Sequence, residues 1–349
     1  MSYFASKQTD ELLPELVKKT NLFHQYKERT GEARKWRKSY NLYYGKHITD
    51  GGDVDISHVG EDGELTAYGS NYYRNLVKHV LAITCSTKPS YDFKAKNSDL
   101  RSQQQARTAN PIIDSYLTEK RMGRHMKQAA ERSLVFKVGY TYTTWDPTLG
   151  RAIQTLPVLD EQGNQKVDDD GQPVLKVKYE GDPSIVSKSP WDVIHSISLR
   201  EWARNKWVIV KEYENKWDLA AQYPKFAEEI EKVSGDDEEF TKNYTNIVRS
   251  QKEDDEDLIP VYHFYHLKTD SLKAGRYTKY LNAKLALYDG PYPYRNMLPV
   301  QRITPGEQFD TADGYSEFYD LMVLQQVLNL TYSTILTNQT PLGTQAIWL

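Results

Sequence analysis

Residues 321–349 read LMVLQQVLNLTYSTILTNQTPLGTQAIWL, with no Asp, Glu, Lys or Arg, in a chain that is 27 % charged overall. Just upstream, Asp313-Gly314-Tyr315-Ser316 supplies a helix start. Ser316 suits an N-cap, because its hydroxyl can accept from the free amides of the first turn. Glu317 and Asp320 then lie where the helix dipole favours negative charge. Phe318, Leu321, Leu324, Leu328, Tyr332 and Ile335 recur at helical spacing, and Val323, Val327 and Leu330 add a second apolar face. A neutral polar stripe of Gln326, Asn329, Ser333 and Thr337 runs between them, and Pro341 and Gly343 are expected to end the helix. A membrane span needs about 20 mostly apolar residues, and Gln325, Gln326, Asn329, Thr331 and Ser333 interrupt this one, so no membrane partner is expected. A helix apolar all round can be a core helix. A helix packed between subunits fits better, because amides and hydroxyls can pair across a contact where a fixed charge is costly to desolvate.

Working back along the chain, helix-period segments come first and strand-period segments later. Residues 10–45 read as helix with a local basic excess: nine Lys or Arg against two Glu between Lys18 and Lys46. The centre is Arg34-Lys35-Trp36-Arg37-Lys38, readable as a solvated face with Trp36 turned inward or as a patch facing phosphate or a partner. Residues 47–70 are Gly- and Asp-rich and read as loop. A helix from Asn71 to about Ser86 and two more between 99 and 138, broken near Arg121-Met122-Gly123, follow. At Gly139-Tyr140-Thr141-Tyr142-Thr143-Thr144-Trp145 the period changes to two, the mark of a strand. Residues 151–159 and 173–179 read as a hairpin turning at Asp168-Asp169-Asp170-Gly171. Residues 185–197 and 207–213 read as further strands, and 216–231 as helix. Residues 228–257 carry twelve acidic and four basic side chains and read as a solvated helix with an exposed loop. Residues 260–267, 277–281 and 284–288 form a small antiparallel sheet. The fold class is therefore α+β, with a helical part at 1–138, a β-rich part at 139–312 and the uncharged helix with its continuation at 313–349.

With 349 residues the chain can hold two compact units and a sizeable core. A net charge of −3 does not mark a nucleic-acid binder, and a single cysteine, Cys85, excludes an internal disulfide and suits a reducing compartment. Met1-Ser2-Tyr3-Phe4 does not open a signal peptide. The 26 tyrosines against nine phenylalanines favour interfaces, since tyrosine joins an apolar body to a polar tip.

Signals for chemistry are weak. Gly314-Tyr315-Ser316-Glu317-Phe318 begins like a nucleophile elbow but lacks the second glycine. His263 and His266, three apart on an expected strand, point to opposite faces and cannot chelate one metal. Asp168–Asp170 lacks the ligand spacing of a calcium loop, and no phosphate-binding glycine loop is present. Cys85 reads as a small core residue. No catalytic, cofactor-binding or metal-binding residue is assigned, and no enzyme is expected.

Five places together resemble the portal proteins of tailed bacteriophages, those of short-tailed phages in particular. They are Trp36-Arg37-Lys38-Ser39-Tyr40 with Tyr43-Tyr44-Gly45; Asn71-Tyr72-Tyr73-Arg74 leading to Thr87-Lys88-Pro89; Ser189-Pro190-Trp191-Asp192-Val193 with Arg204 and Trp207; Val261-Tyr262-His263-Phe264-Tyr265-His266 with Gly275-Arg276; and Gly314-x-Ser316 with Asp320-Leu321, Gln325 and Asn329. Ser196 departs from the acidic residue expected after the Pro-Trp-Asp-Val segment. Family members usually continue past the equivalent of Leu349 into clip, returning stem helix, channel loop and crown, so the clip's terminase contact and the channel loop are not assigned to residues of this chain.

The resemblance implies a homo-oligomeric ring, usually of twelve subunits, at one capsid vertex of the virion, assembled in the host cytoplasm. Double-stranded DNA would pass through it during packaging and ejection. Terminase, the major capsid protein and head–tail connector or tail proteins would be its partners. Residues up to about 310 would form the wing, and the helix from Ser316 would enter the stem. A near-neutral chain suits a passive conduit, since each phosphate neutralised adds grip through counterion release. Ring closure uses heterologous contacts, for which Tyr319, Gln325, Gln326, Asn329, Tyr332 and Ser333 are the expected residues. Arg34, Lys35, Arg37 and Lys38 are the expected outer or capsid-facing patch. The rivals are another head–tail adaptor or tail component and, from a different class, a phage nuclease or cell-wall hydrolase.

Overall fold

The computed structural model describes residues 3–45, 57–59, 65–87, 91–157, 175–233, 257–295 and 297–342. In chain order the elements are α1 (Thr9–Arg29), α2 (Glu32–Tyr44), β1 (Ser57–Val59), β2 (Leu65–Ala67), α3 (Tyr72–Thr84), α4 (Leu100–Glu119), α5 (Met122–Phe136), β3 (Gly139–Asp146), β4 (Ala152–Pro157), β5 (Leu175–Tyr179), β6 (Asp182–Lys188) and β7 (Val193–Ile194). They continue with β8 (Trp207–Asn215), α6 (Lys216–Gln222), α7 (Ala227–Glu231), β9 (Leu258–His266), β10 (Arg276–Tyr280), β11 (Ala286–Gly290), β12 (Val300–Ile303), β13 (Gly306–Glu307), β14 (Gly314–Tyr315) and α8 (Phe318–Leu342). The fold is mixed α+β with antiparallel sheets. The turn at Asp168–Gly171, most of the acidic stretch 228–257, and Lys88-Pro89 lie outside the described residues.

Two compact units divide the chain. The first holds residues 1–89, 126–140 and 188–349; the second holds 90–125 and 141–187. The expected boundaries at 138 and 312 follow chain order, whereas the units are interleaved: the second is an excursion that leaves the first before α4 and crosses back briefly through most of α5.

In the first unit a five-stranded antiparallel sheet runs in the order β11-β10-β9-β8-β7. β9 is central, and its residues from Ile259 to His266 are all buried. Proline lacks the amide a ladder needs, yet Pro260 sits in β9 opposite Tyr213. It is tolerated because β10 pairs with β9 only as far as Tyr262, so the strand has no second neighbour at Pro260. Phe4, Leu12, Leu13, Leu16 and Phe23 pack on Ile209, Phe264 and Tyr280 of this sheet. Arg276 holds the same N-terminal segment through the carbonyls of Ala5 and Lys7, while pairing with Asp289 across the sheet. On another flank Leu219, Ala220 and Ile230 of α6 and α7 cover Ile259, Val261 and Leu287. The expected single helix 216–231 breaks at Tyr223-Pro224, because proline restricts the residue before it to extended backbone.

The other core of this unit joins α2, α3, α5 and the start of α8: Trp36, Leu42, Tyr73, Val77, Leu134, Phe136, Phe318 and Met322. Residues 47–70, read as loop, contain a small hairpin, with Ser57 opposite Ala67 and Val59 opposite Leu65. α5 ends at Lys137, whose φ of 67° is left-handed. That conformation costs a non-glycine residue about 1–2 kcal/mol, and the buried Lys137 ammonium, 2.6 Å from Glu32, helps offset it. Gly139 follows because any Cβ there would run into the carbonyl of Ala129.

In the second unit, Asp99 caps α4 by accepting from the Ser102 amide. Arg121, with φ of 50°, breaks the helix where the sequence predicts. β4 and β5 pair antiparallel, as expected. Lys120 pairs with Asp182, and α4 has no buried residue along its 20 positions.

Candidate functional site: the uncharged helix

α8 is rooted before it begins. Gly314 accommodates the close approach of Thr304 and the Lys137 carbonyl, which a Cβ would meet. Ser316 is fully buried and donates its hydroxyl to the Leu134 carbonyl, 2.6 Å away. The predicted side-chain cap is therefore replaced: the amides of Tyr319 and Asp320 donate to the Ser316 and Glu317 carbonyls instead. Pro341 falls inside the last turn rather than after it.

The docked face shares Phe318 with the first apolar row read in the sequence and otherwise follows neither row. Its row is Phe318, Met322, Gln325, Asn329 and Ser333, spaced four, three, four and four. Phe318 stands edge-on to Tyr73 at 6.0 Å. Gln325 is 3 % exposed; its Oε1 accepts from the Tyr73 amide at 3.0 Å, and its Nε2 donates to the Ser70 carbonyl at 2.6 Å and to Asn329 Oδ1 at 2.8 Å. Asn329 Oδ1 also accepts from the Ser70 amide, 3.3 Å away. The Ser333 hydroxyl accepts from the Tyr68 amide at 2.9 Å, and the Tyr332 ring stands edge-on to Tyr68 at 5.7 Å. Asn329 and Ser333 of the neutral polar stripe, joined by Gln325, thus face the backbone of residues 68–73, whose amides and carbonyls need partners as they enter α3.

The remaining face has no cover among the described residues. Val323, Leu324, Val327, Leu328, Leu330 and Ile335 are 40–69 % exposed, and Gln326 lies exposed among them.

Of the six residues expected at a subunit contact, Tyr319 and Gln325 are buried within their own chain, Asn329 and Ser333 are half-buried against residues 68–70, and Gln326 and Tyr332 are exposed. Burial, reinforced by Glu32, holds the Tyr319 phenol well above its ordinary pKa, so it stays neutral. In the basic cluster, Trp36 turns inward, 6.0 Å from Trp191, while Arg34, Lys35 and Arg37 are exposed and Lys38 is half-buried. Lys35 has its ammonium 3.7 Å from Glu32 and 5.9 Å from the centre of the Tyr319 ring. Several motif residues meet in this one core: Trp36 with Trp191, Ser39 with Tyr73 through hydroxyls 2.7 Å apart, and Gln325 with Tyr73.

His263 and His266 do face opposite ways on β9. His263 Nδ1 lies 3.0 Å from Tyr277 Oη, and His266 Nε2 lies 2.7 Å from Tyr3 Oη. Among the described residues no helix is long and apolar enough to cross a membrane. No protein-family model matches the chain, and no curated protein matches it.

Proposed function

We propose that the chain is a subunit of a portal-type ring, a passive conduit for double-stranded DNA at a capsid vertex, which docks terminase, capsid protein and connector proteins and performs no catalysis. The observation that carries the reading is the outer face of α8. Six aliphatic side chains stand in solvent on a helix that carries no charge after Asp320, a composition that would suit it to a buried site. Scattered exposed apolar residues are ordinary, but a contiguous patch on a rigid element marks an interaction surface.

A neighbouring copy is the occupant we assign, and the contact moves from the inner polar row to Val323, Leu324, Gln326, Val327, Leu328 and Tyr332. Tyr319 and Gln325 act as the root that aims the helix. The exposed Arg34, Lys35 and Arg37 serve as the outer patch.

Mass measurement with negative-stain imaging tests the proposal. The expected result is a closed ring at micromolar concentration, with no turnover of nucleic acid or cell-wall substrates. Leu328→Asp places a charge on the outer face and is expected to leave a folded monomer. A wild-type protein that stays monomeric, or rings that form normally with Leu328→Asp, would remove the proposal.

A further inference from the structure

Glu212 and Glu214 lie two apart on β8 and so project from one face of the sheet. The register sets Val210 opposite His263 and Glu212 opposite Val261, which puts His263 on that face and diagonal to Glu212. His263 Nε2 is 3.4 Å from Glu212 Oε2 and 3.8 Å from Glu214 Oε1, and one donor atom from each residue lies within 4.8 Å of the other two. His263 is 6 % exposed, and its Nε2 has no hydrogen-bond partner although it is aimed into this cluster. The ring is held from its other side by Tyr277 Oη. With the ring proton on Nδ1, donating to Tyr277, Nε2 carries a lone pair. Three lone-pair donors then converge, of which Glu214 also accepts from the Lys279 ammonium.

We propose that Glu212, Glu214 and His263 form a divalent-cation site of the zinc class, clipping β8 to β9. Tetrahedral zinc with bonds of about 2.0–2.1 Å keeps its ligands about 3.4 Å apart, which matches the His263–Glu212 separation. An imidazole in the set favours zinc over calcium or magnesium. The Tyr277 contact is the outer-shell hydrogen bond that orients a ligating histidine. Both glutamates are partly exposed, which gives the ion an entry path and leaves water as the fourth ligand.

Two lysines bear on the site. Lys188 lies 2.7 Å from Glu212 Oε1, the oxygen not turned towards His263, and so steadies that carboxylate. Lys279 lies 2.9 Å from Glu214 Oε1 and competes with the ion for it.

The site is independent of ring formation and is tested on the full chain, stripped with a chelator. Zn²⁺ is titrated by calorimetry and Co²⁺ by visible absorption. One ion per chain is expected, with the intense cobalt bands of a four-coordinate site. His263→Gln should weaken zinc binding by about tenfold or more, Glu212→Gln should also weaken it, and Lys279→Met should tighten it. If His263→Gln misfolds by circular dichroism, the Glu212→Gln and Lys279→Met pair decides. No saturable binding, binding unchanged by these substitutions, or a cluster that takes up only a proton on His263 would overturn the proposal.

Discussion

His24 and His195 are buried near Lys27, and burial with neighbouring positive charge lowers their pKa values to about 3 and about 4. An unfolded chain protonates histidine near pH 6.5, so below that pH it binds protons the folded chain refuses. Stability is therefore full above pH 6.5 and falls from there towards pH 4, by up to about 2.7 kcal/mol per pH unit for the two groups together. Asp313 acts in a lower window. Burial pushes its pKa up, but Lys27, 2.5 Å away, together with His195 and Lys137 outweighs that and holds it below the usual carboxylate range. Its contribution is present above about pH 3.8 and is lost as pH falls through the depressed value. Urea midpoints measured at pH 7, 6 and 5 should decline steadily, and His195→Gln should flatten the decline. Gln325→Leu should cost about 2 kcal/mol, because it strands the Tyr73 amide and the Ser70 carbonyl, and urea denaturation would register it. Neither histidine was legible as a buried group, since neither lies on a row whose partner the sequence names. Gln325 was read as a contact between subunits, and its partner within the chain, the backbone at Ser70 and Tyr73, is about 250 positions away, beyond any local pattern.

At the scale of elements, periodicity reads well where one rule dominates. The two-residue period of β3, the turn signals around β10 and β11, and the helix break at Arg121 all agree with the structure. Short elements escape, as β1 and β2 do, because three-residue strands carry no period. α8 shows a different failure. Beyond Met322 its inner face is set by backbone polarity at residues 68–73 rather than by apolarity, so from Val323 onward the hydrophobic rows in the sequence mark its outer side. Two substitutions test how elements are joined. Gly139→Ala should destabilise strongly, because the new methyl meets the Ala129 carbonyl where α5 passes into β3. Arg276→Ala should cost about 3 kcal/mol, the scale for breaking a largely buried ion pair. It should also free the segment before α1, which limited proteolysis would reveal.

On the scale of the molecule, α+β was legible because helix-rich and strand-rich stretches separate along the chain. The division into units was not, because it depends on which distant segments touch. Composition places 91–125 with the helices before it, while the contacts group it with 141–187. The portal-type reading rests on the outer face of α8 and predicts that assembly responds to Leu328→Asp and not to Gln326→Ala, since the amide sits among side chains whose burial dominates. Sedimentation of the two variants side by side would show it.

That outer face carries no charge from Val323 to Ile335, and this gives any assembly built on it a thermal character. Apolar hydration has almost no enthalpy near room temperature, and the drive to remove it from water weakens on cooling. Rings held by Leu324, Val327 and Leu328 should therefore loosen in the cold, re-form on warming, and tighten rather than dissociate when sulfate is added, the opposite of what an ion-paired contact would do.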